Sequence, residues 1–284
     1  MGHMKIVSKE ESQPSAAFYL PHHPVMKLSS LTTKLRVVFD ASAKNDLVTI
    51  LMRFRKHQVV IKADVEKMFR QIRVAEEDQD WQRIVWRSQS DKALELYRLT
   101  TVTYGTTSAS FMATNCLVSL SEEAKQKYPE ASKIIRRDFY MDDLMTGAST
   151  VDECCQLQKQ IDSILVSAHL PLRKWCSNST EVLERIEDSS DDPLFALQIG
   201  EDEIIKSLGL SWKPALDAFQ FIVEQKAFMA KSTKITLLSD LNRIFDPLGF
   251  LAPVLVRGKI FLQQLWQLKI EWAQQLPEEL SNRW

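Results

Sequence analysis

Hydrophobic and polar positions change period several times along this chain, and each change marks an element. Val25-Met26-Lys27-Leu28 and Leu35-Arg36-Val37-Val38-Phe39, joined by the polar residues 29–33, predict two strands and a turn. Leu47, Ile50, Leu51 and Phe54 recur at helical spacing, with Asp46 placed to cap that helix. Residues 58–63 read as a strand ending at Asp64, an acid that caps the next turn or points into a site. Ile84–Trp86 and Leu94–Tyr104 supply further strands. From Gly105 the period turns helical, with Thr106, Thr107 and Ser108 as capping types and Phe111, Cys116, Leu117 and Leu120 as buried candidates. Tyr128-Pro129 ends that stretch.

Phe139-Tyr140-Met141-Asp142-Asp143-Leu144-Met145 places two acids between apolar flanks, with Ile134 and Ile135 upstream, and predicts a β-hairpin with the acids at its turn. Thr150 to Glu153 forms a capping box for a helix that turns Leu157, Ile161, Ile164 and Leu165 inward, and Pro171 stops it. Leu172-Arg173-Lys174-Trp175 is a short strand. The order from Asp64 onward is β-α-β-β-α-β, an antiparallel sheet backed by helices, in which the first and third strands are neighbours. Asp64 and Asp142 then meet across about one strand spacing. Residues 205–212 and 219–223, with a turn at 214–218, predict a second hairpin. Two helices close the chain, one from Thr236 and one from about Pro253, separated by Asp246-Pro247-Leu248-Gly249.

Composition narrows the class. The 284 residues carry 45% hydrophobic and 26% charged side chains, as an ordinary globular protein does. Cys116, Cys154, Cys155 and Cys176 lack zinc-like pairing and point to a reducing compartment. No charged segment followed by an apolar run opens the chain, so no signal peptide is expected. The most apolar run, 245–256, is broken by an acid, two prolines and a glycine and cannot span a bilayer. The net charge of −1 does not advertise a nucleic-acid binder. Arg53, Arg55, Lys56, Lys62, Lys67, Arg70 and Arg73 nevertheless form a local basic stripe, either a solvated face or a track for a phosphate backbone.

Adjacent carboxylates repel, so one is driven toward protonation unless a cation is near. Hard divalent cations take oxygen ligands and keep positions open for water or phosphate. Asp142-Asp143 is therefore either a solvated turn or a metal platform for phosphoryl chemistry, and Asp64 joining it favours the platform.

With these pieces in order, the sequence resembles the reverse transcriptases of BEL/Pao LTR retrotransposons. The residues that carry the resemblance are Tyr19-Leu20-Pro21-His22-His23, residues 35–44, residues 62–69, Tyr140-Met141-Asp142-Asp143, residues 172–175, residues 208–212 and Phe245-Asp246-Pro247-Leu248-Gly249. The resemblance implies an α+β right-hand polymerase with fingers, palm and thumb, the palm a ferredoxin-like split β-α-β antiparallel sheet. It places fingers at 1–60, palm at 61–205 with fingers strands at about 76–104, a primer-grip hairpin at 206–225, and thumb or connection helices at 226–284.

The resemblance also implies RNA-directed DNA polymerisation with two Mg²⁺ ions, for which Mn²⁺ can substitute, held by Asp64, Asp142 and Asp143. Lys27 and Arg36 would hold the triphosphate, and Phe69 would crowd the sugar 2′ carbon. Tyr104 and Gly105 would lie at the nucleotide, Tyr140 and Met141 under the primer end. Leu208, Gly209, Leu210 and Trp212 would grip the primer, and Lys174 would protonate the leaving pyrophosphate. The implied partners are a primed RNA or DNA template, dNTPs and other parts of the polyprotein, without a membrane. The implied location is cytoplasmic, in a virus-like particle for an intact element. Protease, RNase H and integrase segments are expected to be absent.

Two departures stand out. Tyr104 and Ser110 replace the Gln and Pro of the family pattern. The connection at Asn45-Asp46 is shorter by about twenty residues, the size of a functional loop. A catalytically impaired or host-recruited remnant that binds nucleic acid without copying it is thus the alternative. A two-metal nuclease also uses clustered acids but leaves Arg36, Phe69 and the second hairpin unexplained.

Overall fold

The computed structural model describes residues 4–7, 23–26, 35–38, 47–87, 89–187, 204–221, 232–244 and 246–284. The chain divides into two compact units, Met1–Leu197 and Gln198–Trp284. The first unit opens with β1 (Met4–Ile6), β2 (His23–Met26), β3 (Leu35–Val38) and α1 (Leu47–Phe54). Then come β4 (Val59–Val65), α2 (Met68–Gln71), β5 (Arg83–Trp86), β6 (Glu95–Leu99), α3 (Ala109–Ala124) and α4 (Pro129–Arg137). It closes with β7 (Phe139–Tyr140), β8 (Asp143–Ala148), α5 (Val151–Ser167), β9 (Leu172–Ser177) and α6 (Thr180–Glu187).

Four antiparallel strands in the order β7-β8-β4-β9 make the central sheet, so the first strand of the β-α-β-β-α-β order does lie beside the third. One face of β4 sends Ile61, Ala63 and Val65 into the main core, where Ala113, Leu117, Ile134, Ile135, Ile161 and Leu165 of α3, α4 and α5 cover them. Val60 and Lys62 on the opposite face are buried too, which is why β4 reads as a run rather than an alternation. A second sheet has the order β1-β6-β5, and β2 pairs with β3 so that Val25 faces Arg36.

Several boundaries differ from the sequence expectation. Ile134 and Ile135 belong to α4, and the hairpin strand before the acids is only Phe139-Tyr140. Pro129 starts α4 at its first turn, where a missing N–H costs nothing, and α3 has already ended at Ala124. Gly105 lies in a turn with φ 92° rather than opening the helix, which begins at Ala109. Phe111 is 69% exposed, so it is not a core residue, whereas Leu117 is buried. β6 stops at Leu99, and beyond it Thr101 makes an isolated bridge to Arg73. Asp46 and the shortened connection lie outside the described residues.

The second unit begins with three antiparallel strands, β10 (Ile205–Ser207), β11 (Leu210–Lys213) and β12 (Ala218–Gln220). Residues 205–212 are therefore not one strand: Leu208 and Gly209, at φ 53° and 80°, turn the chain between β10 and β11. Helices α7 (Lys234–Arg243), α8 (Ala252–Gln267) and α9 (Glu278–Arg283) follow. Thr233 and Thr236 form a reciprocal capping box for α7. Asp246 accepts from the backbone N–H groups of Phe250 and Leu251, which fixes the break before α8. Leu237, Phe261, Leu262, Leu265 and Leu276 form the core of these helices, while Ile260, Trp266 and Leu268 remain exposed.

Candidate active site

The antiparallel register of β4 and β8 sets Asp64 directly opposite Asp143. The Val65 N–H donates to the Asp142 carbonyl at 2.8 Å, which ties the acid hairpin to the end of β4. Tyr140 pairs with Asp143, leaving only Met141 and Asp142 to reverse the chain. Met141 makes that reversal in the left-handed region, φ 59°, at a cost of about 1–2 kcal/mol for a residue with a Cβ. Two motifs distant in sequence thus deliver three carboxylates to one end of the sheet.

Two lysines meet them. Lys62, two residues before Asp64 and on the same face of β4, holds Asp143 Oδ1 at 2.9 Å from its Nζ. Lys174 Nζ lies 2.6 Å from Asp64 Oδ2. A β-bulge aims Lys174: β4 advances from Lys62 to Asp64 while β9 moves from Cys176 to Arg173, and Lys174 takes φ 58°. Burial pushes the Asp142 carboxyl above its usual range, and the negative charges of Asp143 and Asp64 push the same way while Lys62 opposes them. Burial pulls Lys62 down, but Asp143 chiefly outweighs it and the net shift is upward.

The donor set fits a hard divalent cation, since all three acids offer oxygen from one sheet end. Among the described residues no group of three or more His, Cys, Asp or Glu is arranged to hold a metal, and Asp64 and Asp143 each pair with a lysine.

The acid hairpin has a buried foundation. Asp138 is fully buried, takes Arg53 Nε of α1 at 2.7 Å on Oδ1 and the Thr146 hydroxyl at 3.1 Å on Oδ2. Its carbonyl accepts from the Met145 N–H. Phe69 on α2 and Tyr104 form an aromatic pair, ring centroids 6.3 Å apart at 54°. A left-handed Lys67, φ 50°, turns the chain between Asp64 and Phe69. Gly105 follows Tyr104 in its turn.

Other expected site residues fall elsewhere. Lys27 lies outside the described residues, and Arg36 has its place in β3. Leu210 and Trp212 are buried in the second unit, where Trp212 Nε1 donates to Asp217 Oδ1 at 3.1 Å. Lys62 and Asp138 were missed as site residues. The available signal for Lys62 was a lone cation in an apolar strand two residues before an acid.

A family model described as Reverse transcriptase (RNA-dependent DNA polymerase) matches residues 13–177, more than half of the chain. The chain belongs to that family, whose members are nucleotidyltransferases acting on nucleic acid. A second model, Pao retrotransposon-like RNaseH-like domain, matches residues 233–284, and the two together define a reverse transcriptase of the BEL/Pao retrotransposon type. The expectation that no RNase H segment is present is corrected by that second match, which overlaps the residues expected to form thumb or connection helices. No curated protein matches the chain.

Proposed function

We propose that the chain is the polymerase of a retrotransposon, extending a primer 3′-hydroxyl with dNTPs on an RNA or DNA template. The observation that carries this is the pairing of Asp64 with Asp143 at the strand ends, with Asp142 in the adjoining turn. Asp64, Asp142 and Asp143 would hold two Mg²⁺. Bound there, the ions would activate the primer hydroxyl and neutralise charge on the triphosphate.

The remaining work falls to the chain itself. Phe69, braced by Tyr104, narrows the space beside the sugar and excludes a 2′-hydroxyl. Arg36 and Lys27 bind phosphate oxygens, and Tyr140 and Met141 support the primer terminus. Lys174 Nζ, once released from Asp64, donates a proton to the departing pyrophosphate. The β10–β11 turn at Leu208-Gly209, backed by the buried Leu210 and Trp212, grips the primer. Fingers, palm and thumb are the arrangement in which these parts work, with a polyprotein as context and a cytoplasmic particle as the setting.

The short connection at Asn45-Asp46 favours a second reading, binding without copying. Primer extension separates the two. With Asp142→Asn the polymerase reading expects extension to fall by at least about a hundredfold, as loss of a central electrostatic group does, while primer–template affinity changes little. Wild-type protein that binds a primed template and never extends it leaves the binding reading.

A further inference from the structure

We propose that Lys62 is a positioning residue, a permanent internal cation that fixes the Asp143 carboxylate and limits how tightly the three-aspartate corner takes up a divalent ion. This rests on the reading of Asp64, Asp142 and Asp143 as metal ligands.

The two lysines at the corner differ in kind. The Lys174 side chain is 43% exposed and stands on a bulge, so it can rotate into water at the cost of one partly solvated ion pair. The Lys62 side chain is 8% exposed in the central strand. Its cross-strand neighbours, Met145 on β8 and Cys176 on β9, are both buried. Withdrawing its ammonium from Asp143 leaves a buried charge that has lost its ion-pair partner, with only the weaker pull of Asp64 and Cys176 remaining, an unfavourable state. Lys62 therefore stays on Asp143 whether the corner gains or loses a cation.

Charge shows what this does. With both lysines in place the corner of three ionised acids carries one net negative charge. Swinging Lys174 out makes it two, and removing Lys62 as well would make it three. An arriving divalent ion is drawn by the acids and repelled by the ammonium that remains. Lys62 thus holds one Asp143 oxygen in place and weakens metal uptake, and Lys174 is the cation an ion displaces.

The test is Mn²⁺ binding to the purified protein without nucleic acid, followed by electron paramagnetic resonance. Wild type, Lys62→Met, Lys62→Arg and Asp142→Asn are compared, with folding checked by circular dichroism. Lys62→Met is expected to bind Mn²⁺ about tenfold more tightly than wild type, at about 1.4 kcal/mol per decade. Lys62→Arg should stay near wild type, and Asp142→Asn should lose binding. Equal or weaker Mn²⁺ binding by a folded Lys62→Met overturns the proposal. So does unfolding of both Lys62 variants, which would make Lys62 a residue of the fold alone. If Asp142→Asn binds as wild type does, the metal reading itself fails, separately from the behaviour of Lys62.

Discussion

His57 sits between α1 and β4 with its imidazole held below the ordinary value of 6.5, because burial strips water from the protonated ring. Arg137 and Lys56 push the same way, and Asp138 opposes them. The unfolded chain therefore takes up this proton before the folded protein does, and folding stability contributed here is complete above about pH 6.5 and declines as pH falls through the folded value. The melting temperature should drop between pH 7.5 and 5.5, and His57→Gln should flatten that drop; parallel curves for the two proteins would refute it. At this scale the acids were legible, because Asp142-Asp143 and Asp64 stand at ends of apolar runs. Lys62 was not, because its burial is created by Met145 and Cys176, which arrive from distant sequence. The left-handed residues Met141 and Lys174 leave no trace in hydrophobic period.

β4 and β8 approach so closely that one glycine is obligatory. Gly147 faces Val60 in the register, and a Cβ there would collide with the Val59 carbonyl oxygen and the His57 Cβ. Gly147→Ala should destabilise the first unit by about 1–3 kcal/mol, the usual cost of overfilling a packed site. Urea unfolding measures it, and an unchanged midpoint would show that the strands can part cheaply. The strands that carry the acids and the adjacency of β4 and β8 were readable from apolar runs and caps. The ends were not: α3 begins four residues after Gly105 because Thr103 and Thr106 first close a turn of their own. Phe111 was misassigned because a helical period names a face without saying what covers it.

Among the described residues, one hydrophobic cluster spans Ile61 to Ile186 within the first unit and another spans Leu237 to Leu276 within the second. Residues 1–197 should therefore fold alone. A fragment ending at Leu197 is expected to melt cooperatively and retain whatever Mn²⁺ binding the full chain shows. A fragment that stays unfolded would mean that the second unit is needed for the first. The polymerase-like sheet was visible in the sequence because its strands and acids are local signals. The character of residues 233–284 was not, since three amphipathic helices fit many folds and only comparison with a family identifies them.

The bulge that aims Lys174 separates what position 174 must be from what it must carry. Its backbone conformation is demanded by the extra residue in β9, whatever side chain is present. Over evolutionary drift this site can exchange its chemistry for glycine or asparagine at little structural cost, while valine, isoleucine or threonine are closed to it. An element that lost the need to copy itself would be free to discard the lysine and yet keep the kink. A left-handed position here, stripped of its cation, would thus be a fossil of the site in a relative that no longer uses it.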